Sequence, residues 1–218
     1  MGSIMSKIYD EEREAEELNR RAEERNRRAV RPLLTRIAAT REAGTVRRCH
    51  IVPHHGQYNI AQHSYGAVSL LLLLHPNPSL NLIKAVQWHD CAERWLGDIP
   101  APAKWTNPEL GKVYEEAERR VLATLGLLPG LLPDEEDWLK AVDTLELWLW
   151  CREEEALGNE AVTAMRRACE AVTEKRGLEG SLPEPVRAFY VAAKHQPHRR
   201  LSDFFEEVVR DGLGEAAT

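Results

Sequence analysis

No stretch of the 218-residue chain is uninterruptedly apolar for more than six residues, Leu70–Leu74 and Ala188–Ala193 being among the longest runs, whereas a membrane-spanning helix needs about 20 such residues. No basic segment followed by an apolar run and a small-residue cleavage site opens the sequence, so a secretory route is not expected. Cys49, Cys91, Cys151 and Cys169 are widely separated and form no CxxC pair. That pattern argues against a disulfide framework and for reduced thiols in a cytoplasmic protein. Positive charge is not in excess: 29 Lys+Arg against 35 Asp+Glu leave a net charge of −6. A protein that coats nucleic-acid phosphates needs a basic face, so a polymer is not the expected partner. Alternating β patterns of useful length and internal repeats are also missing. What is present is a chain 43% hydrophobic and 29% charged, enough to bury a core without disulfides.

The organisation reads as all-α. Residues 5–30 form a charge block in which Ile8, Ala15, Ala22 and Ala29 recur every seven residues, a weak heptad with Leu18 between. This is either a solvated helical arm or an oligomer contact. A second helix is expected from about Pro32 to Arg41, ended by Gly44. Residues 45–60 look like a loop. Helical patterns follow at about 60–74, 79–95, 109–125, 134–157, 159–176, 184–195 and 200–211, punctuated by Pro76, Pro78, Gly97, Pro100, Gly126, Pro129, Gly130, Pro133, Gly158, Gly177, Pro183 and Gly212. The expected layout is a charged N-terminal helical extension (1–44), one helical domain (45–212) and a flexible tail (213–218). The six tryptophans are read as packing residues, with Trp88 and Trp105 as possible linings of a pocket.

Reactive side chains concentrate in QWHDCAERWLGDIPAPAKW, residues 87–105. On a helix His89 and Glu93 share a face, with Asp90 one step round. Asp98 follows in a Gly-Asp-Ile-Pro turn. His63 opens an apolar helix and by itself reads as a satisfied structural histidine. Asp143 sits among Ala141, Val142 and Leu145; a carboxylate there needs a partner, and Lys140 at i−3 is one candidate. Together, His63, His89, Asp90 and Asp143 come from three helices and offer two imidazoles and two carboxylates. That donor set suits a divalent transition metal: Co, Mn, Zn or Fe. Glu146 is a further carboxylate for the rim of such a site. A di-iron oxygenase would need more histidines beside the HD pair, and residues 91–143 contain none.

The order His63, His89-Asp90, Asp143 resembles the HD-domain metal-dependent phosphohydrolases. VRRCHIVPHHGQYNIAQHS, HDCAERWLGDIPAPAKW and KAVDTLELW narrow the resemblance to compact 5′-deoxynucleotidases of the YfbR type and to DatZ-type deoxynucleoside triphosphohydrolases of phages. It covers roughly residues 45–155. It implies a compact HD-domain helical bundle with His63, His89, Asp90 and Asp143 as metal ligands. Glu93 would be the general acid/base, and Asp98 would position the water or the sugar. Arg48, Lys104 and Lys140 would hold phosphate oxygens, while the loop around Ile51 and the Pro100–Pro102 turn shape the nucleoside pocket. A deoxynucleotide substrate, no membrane partner and a homo-oligomer are implied as well. Three candidate cations lean the reading towards a dNTP (dATP-type) triphosphohydrolase; the alternatives are a 5′-deoxynucleotidase acting on dNMP and a non-catalytic nucleotide-sensing module. Two departures stand out. Cys49 replaces the aromatic residue that relatives often carry after the arginine, and Gln62 replaces a glutamate before the first histidine, removing a charge behind the metal ligands. His54 and His55 are expected to be exposed, and the KHQPHRR stretch at 194–200 to be a solvated helix end.

Overall fold

The computed structural model describes residues 2–198 and 209, with the side chains of 2–16, 22, 29 and 105 excepted. The pattern expected at 200–211, the tail at 213–218 and the side chain of Trp105 lie outside the described residues. Nine α-helices and one 3-10 turn make up the described chain, with no strand and only an isolated bridge between Arg47 and Asn59. The all-α reading holds.

The first helix, α1, runs unbroken over Gly2–Ala43. The expected arm and the expected Pro32–Arg41 helix are therefore one element. Proline removes one backbone donor and crowds the preceding turn, but α1 is exposed there and continues through it. Glu–Arg pairs one turn apart, Glu17–Arg21 at 2.7 Å and Glu24–Arg28 at 3.0 Å, support it. Among its described side chains only Ala39 and Ala43 are buried, and Ala43 packs with Cys91, Ala92, Leu122 and Leu127.

Helix α2 (Ile60–Leu74) starts at a capping box. Gln62 N donates to Asn59 Oδ1 (3.0 Å) and Asn59 N to Gln62 Oε1 (3.2 Å). Gln62 is thus spent on the helix start. Helix α3 (Leu80–Trp88) is capped by Ser79. After α4 (Glu93–Leu96), α5 (Ala101–Thr106) and α6 (Pro108–Leu125), left-handed Gly126 ends α6. Helix α7 (Pro133–Ala156) is the axis of the fold and packs on α2, α3, α8 (Thr163–Glu179) and α9 (Glu184–Lys194). It buries residues on more than one face, as a central helix must. Leu71, Leu82, Val86, Val142, Leu145 and Trp148 fill the core. Leu71→Ala should cost about 3 kcal/mol of unfolding free energy, read from urea denaturation; a loss well below 1 kcal/mol would mean this layer is not the core. Not every tryptophan packs as expected: Trp95 is 52% exposed, and Trp88 lines a groove beside Leu33 and Ile37 rather than the larger cavity described below.

Candidate metal centre and its cavity

The segment HDCAE does not lie on one helix. Helix α3 ends at Trp88 and α4 begins at Glu93. The turn between them is closed by i→i−3 bonds, Cys91 N to Trp88 O and Glu93 N to Asp90 O, both 3.0 Å. At about three residues per turn, positions i and i+3 eclipse. Asp90 and Glu93, not His89 and Glu93, therefore share a direction, and both face Arg48.

Arg48 comes from the 44–59 loop, which folds back on itself through Arg48 N to Tyr58 O (3.0 Å) and Ile60 N to Val46 O (3.0 Å). Its guanidinium contacts Asp90 Oδ2 and stands 3.8 Å from Glu93 Oε1 and 4.0 Å from Asp143 Oδ1. Next to Arg48, Cys49 takes a left-handed φ of 53° and its N–H donates to Asp98 Oδ2 (3.2 Å). Gly97, at φ 79°, turns the chain into Asp98, and Tyr114 donates to its carbonyl.

Around this arginine the four sequence-selected donors meet. His63 Nε2 lies 3.0 Å from Asp143 Oδ1, 3.2 Å from His89 Nε2 and 3.6 Å from Asp90 Oδ2. His89 Nε2 lies 3.2 Å from Asp90 Oδ2 and 3.6 Å from Asp143 Oδ1. Ligands about 2.1 Å from one ion sit about 3.0 Å apart at a right angle and about 3.4 Å apart at the tetrahedral angle. The spacings fit a shared ion. The far sides of the rings agree: His89 Nδ1 faces the Val86 carbonyl at 2.8 Å, and His63 Nδ1 faces Glu146. With both Nδ1 protons donated outward, both Nε2 lone pairs point to the centre. Among the described residues, His63, His89 and Asp90 form a group able to hold a metal. Lys140 makes no ion pair with Asp143; the aspartate faces the two imidazoles instead. Burial alone would raise the Asp143 pKa, but His63 and His89 outweigh it and hold the carboxyl well below the usual range.

A cavity of about 1100 Å³ opens from this cluster. Arg48, Ile51, Pro102, Lys104 and Lys140 all line it, as do His89, Asp90, Glu93, Asp98 and Asp143, whereas His63 is wholly buried behind it. Arg47, His54 and His55 are not among the lining residues. His54 sits edge-on to Trp150 and His55 pairs with Glu154. Burial pushes the Glu93 carboxyl up to about 7, against the opposing pull of Arg48, and Glu93 Oε2 has no hydrogen-bond partner among the described residues. Burial pushes the Cys49 thiol up to about 12, which rules against a thiolate nucleophile.

Two parts of the site carried no motif. Tyr58 donates to Glu146 at 2.6 Å, behind His63. Ala161, Ala164, Met165, Ala168 and Cys169 form an apolar wall of the cavity. The available signal was the small residues at 161, 164 and 168, which a helix places on one face.

An all-α bundle around a His-His-Asp cluster, with Asp143 against it, defines an HD-type fold and site. The description 5′-deoxynucleotidase YfbR-like matches residues 37–189, and the chain belongs to that family. It is 32% identical over 107 residues to a 5′-deoxynucleotidase of Vibrio cholerae (42% of this chain, 55% of that protein). It is 30% identical over 104 residues to the 5′-deoxynucleotidase YfbR of Escherichia coli (41% and 52%). The chain spans about half the length of the curated relatives it matches. In fold it is similar to the HD phosphohydrolase DatZ of cyanophage S-2L, solved with dA and one catalytic Zn²⁺ (TM-score 0.53, 20% identity, 69% of this chain and 89% of that one). It is also similar to the PH0347 protein of Pyrococcus horikoshii (TM-score 0.52, 20% identity, 71% and 98%). Among the described residues, no helix is long and apolar enough to cross a membrane.

Proposed function

We propose that the protein is a divalent-metal-dependent phosphohydrolase of 2′-deoxynucleotides that cuts the phosphomonoester of a 5′-monophosphate. The observation that carries this is the convergence of His89, Asp90 and Asp143, with His63 buried directly behind them, beside Glu93 and Arg48 at the wall of one cavity, in a chain of the 5′-deoxynucleotidase YfbR-like family. The names of its relatives favour a monophosphate substrate over the triphosphate lean drawn from cation number alone.

A divalent ion held by the four donors would supply Lewis-acid polarisation of a phosphoryl oxygen and a lowered pKa for attacking water. Arg48, facing three carboxylates, binds a further phosphoryl oxygen and offsets its charge. The raised pKa of Glu93 leaves part of it protonated near neutrality, so it can pass a proton to the departing 5′-oxygen. Asp98, fixed by the Cys49 N–H, accepts from a sugar hydroxyl. The Ala164–Met165–Ala168 wall covers the base and excludes water. A second reading, hydrolysis of a triphosphate, is favoured by Lys104 and Lys140, which line the same cavity and suit a longer phosphate chain.

Product chromatography decides between them. The full chain with Co²⁺, Mn²⁺ or Zn²⁺ is incubated with dNMPs, dNTPs and their ribonucleotide counterparts. Deoxynucleoside plus phosphate from dNMP is the expected result. Turnover of dNTPs alone, with triphosphate released, would select the second reading. Binding without turnover under any of these metals would leave a nucleotide-sensing module and end the enzymatic proposal.

A further inference from the structure

A glycine in the middle of an apolar helix is a cost without a reason unless something needs the space. Gly66 is such a residue. It lies on α2 one turn after His63, and its backbone does not adopt positive φ. A Cβ there would stand 2.8 Å from Cγ and 2.9 Å from Oε1 of Glu146 on α7. The missing methyl group is what lets the Glu146 side chain lie flat against α2 and reach the ring of His63.

Glu146 is itself held. Tyr58 donates to its Oε2 at 2.6 Å, and the Tyr58 ring is buried and stacked on Trp150 with centroids 4.3 Å apart. The same Oε2 faces Nδ1 of His63, whose side chain is fully buried. His63 therefore has an anionic partner behind it, whereas His89 has the neutral Val86 carbonyl. A carboxylate on the remote nitrogen fixes the tautomer and strengthens the near nitrogen as a donor.

We infer that Glu146, clamped by Tyr58 and admitted by Gly66, is the positioning residue that aims His63 at the divalent ion and strengthens it as a donor. The inference rests on the metal reading of the four-residue cluster. Gln62 leaves this role empty on α2, because it closes the capping box instead; Glu146 fills it from α7.

The test is a double-mutant cycle on the full chain, read by Co²⁺ affinity and the visible ligand-field spectrum. Glu146→Gln keeps the shape and removes the charge; it should weaken Co²⁺ binding about 10- to 100-fold and alter the spectrum. Gly66→Ala should weaken binding in the same direction by displacing Glu146. In the Glu146→Ala background Gly66→Ala should change Co²⁺ affinity no further while raising the melting temperature, because only helix propensity is left to act. Tyr58→Phe, which keeps the stacked ring, gives a smaller loss in the same direction and covers the case in which a Glu146 variant fails to fold. Wild-type affinity and spectrum in Glu146→Gln, or independent losses from Gly66→Ala and Glu146→Ala, would overturn the inference. If the wild-type chain binds no divalent ion at all, the metal reading itself fails, which the same titration shows separately.

Discussion

Asp90→Ala is expected to remove divalent-ion binding and to lower deoxynucleotide turnover on the order of 10³-fold or more, with the helical bundle still folded. Asp90 Oδ2 is the carboxylate oxygen placed between both Nε2 atoms and the Arg48 guanidinium. Without it the cluster keeps two imidazoles and Asp143, and its charge balance against Arg48 is lost. Folding should survive for two reasons. The turn at 89–93 is held by backbone bonds, including Glu93 N to Asp90 O, which do not need the side chain. Arg48 also keeps Glu93 and Asp143 as carboxylate neighbours, so no buried charge is left alone. Asp90→Asn separates charge from shape and should fall nearly as far. Metal content by mass spectrometry, far-UV circular dichroism and product assays on the same preparations check all three points. Retention of more than a tenth of the wild-type rate with the metal gone would remove the cluster from the reaction.

The candidate site was legible where the sequence packs reactive groups densely. HDCAE and GDIPAPAK put five reactive groups, His89, Asp90, Glu93, Asp98 and Lys104, within sixteen residues, and all five line one cavity. His63 and Asp143 were harder, because each sits in an apolar helix where a structural partner was as good an explanation. Only packing shows that Asp143 looks across to α2 and α3 rather than along α7 to Lys140. Backbone breaks failed in both directions. Pro32 signals a break, yet α1 continues, since an exposed helix can tilt around one lost bond. No glycine or proline marks the turn at 89–92, yet the helix stops there. Its i→i−3 bonds are a tertiary outcome, with Cys91 and Ala92 buried against Ala43 and Leu122. Glu146, Tyr58 and Gly66 lie far apart in sequence and meet only because α2 packs on α7.

Glu93→Gln should lower kcat by about 10²- to 10⁴-fold while metal content and KM stay close to wild type. Glu93 lies outside the four donors proposed to hold the ion, so binding of that ion would not depend on it. Its side chain is buried, one oxygen is 3.8 Å from Arg48, and the other has no hydrogen-bond partner among the described residues. An unpartnered buried carboxyl oxygen facing a cavity is costly unless a ligand completes it. Glutamine fills the same volume and can still donate a hydrogen bond to the leaving oxygen, but it has no proton to give up. The loss should therefore depend on the leaving group. On a deoxynucleoside 5′-phosphate, whose alkoxide must be protonated, the full effect is expected. On an aryl phosphate whose phenolate leaves without help, the mutant should recover most of the difference. Steady-state kinetics on both substrates, with metal occupancy measured in parallel, separates the roles. An equal loss on both would make Glu93 a positioning residue for Arg48, and an unchanged kcat would remove it from the mechanism. The turn that eclipses Asp90 and Glu93 would then serve only to neutralise a buried arginine, a role for which Asp90 and Asp143 already suffice.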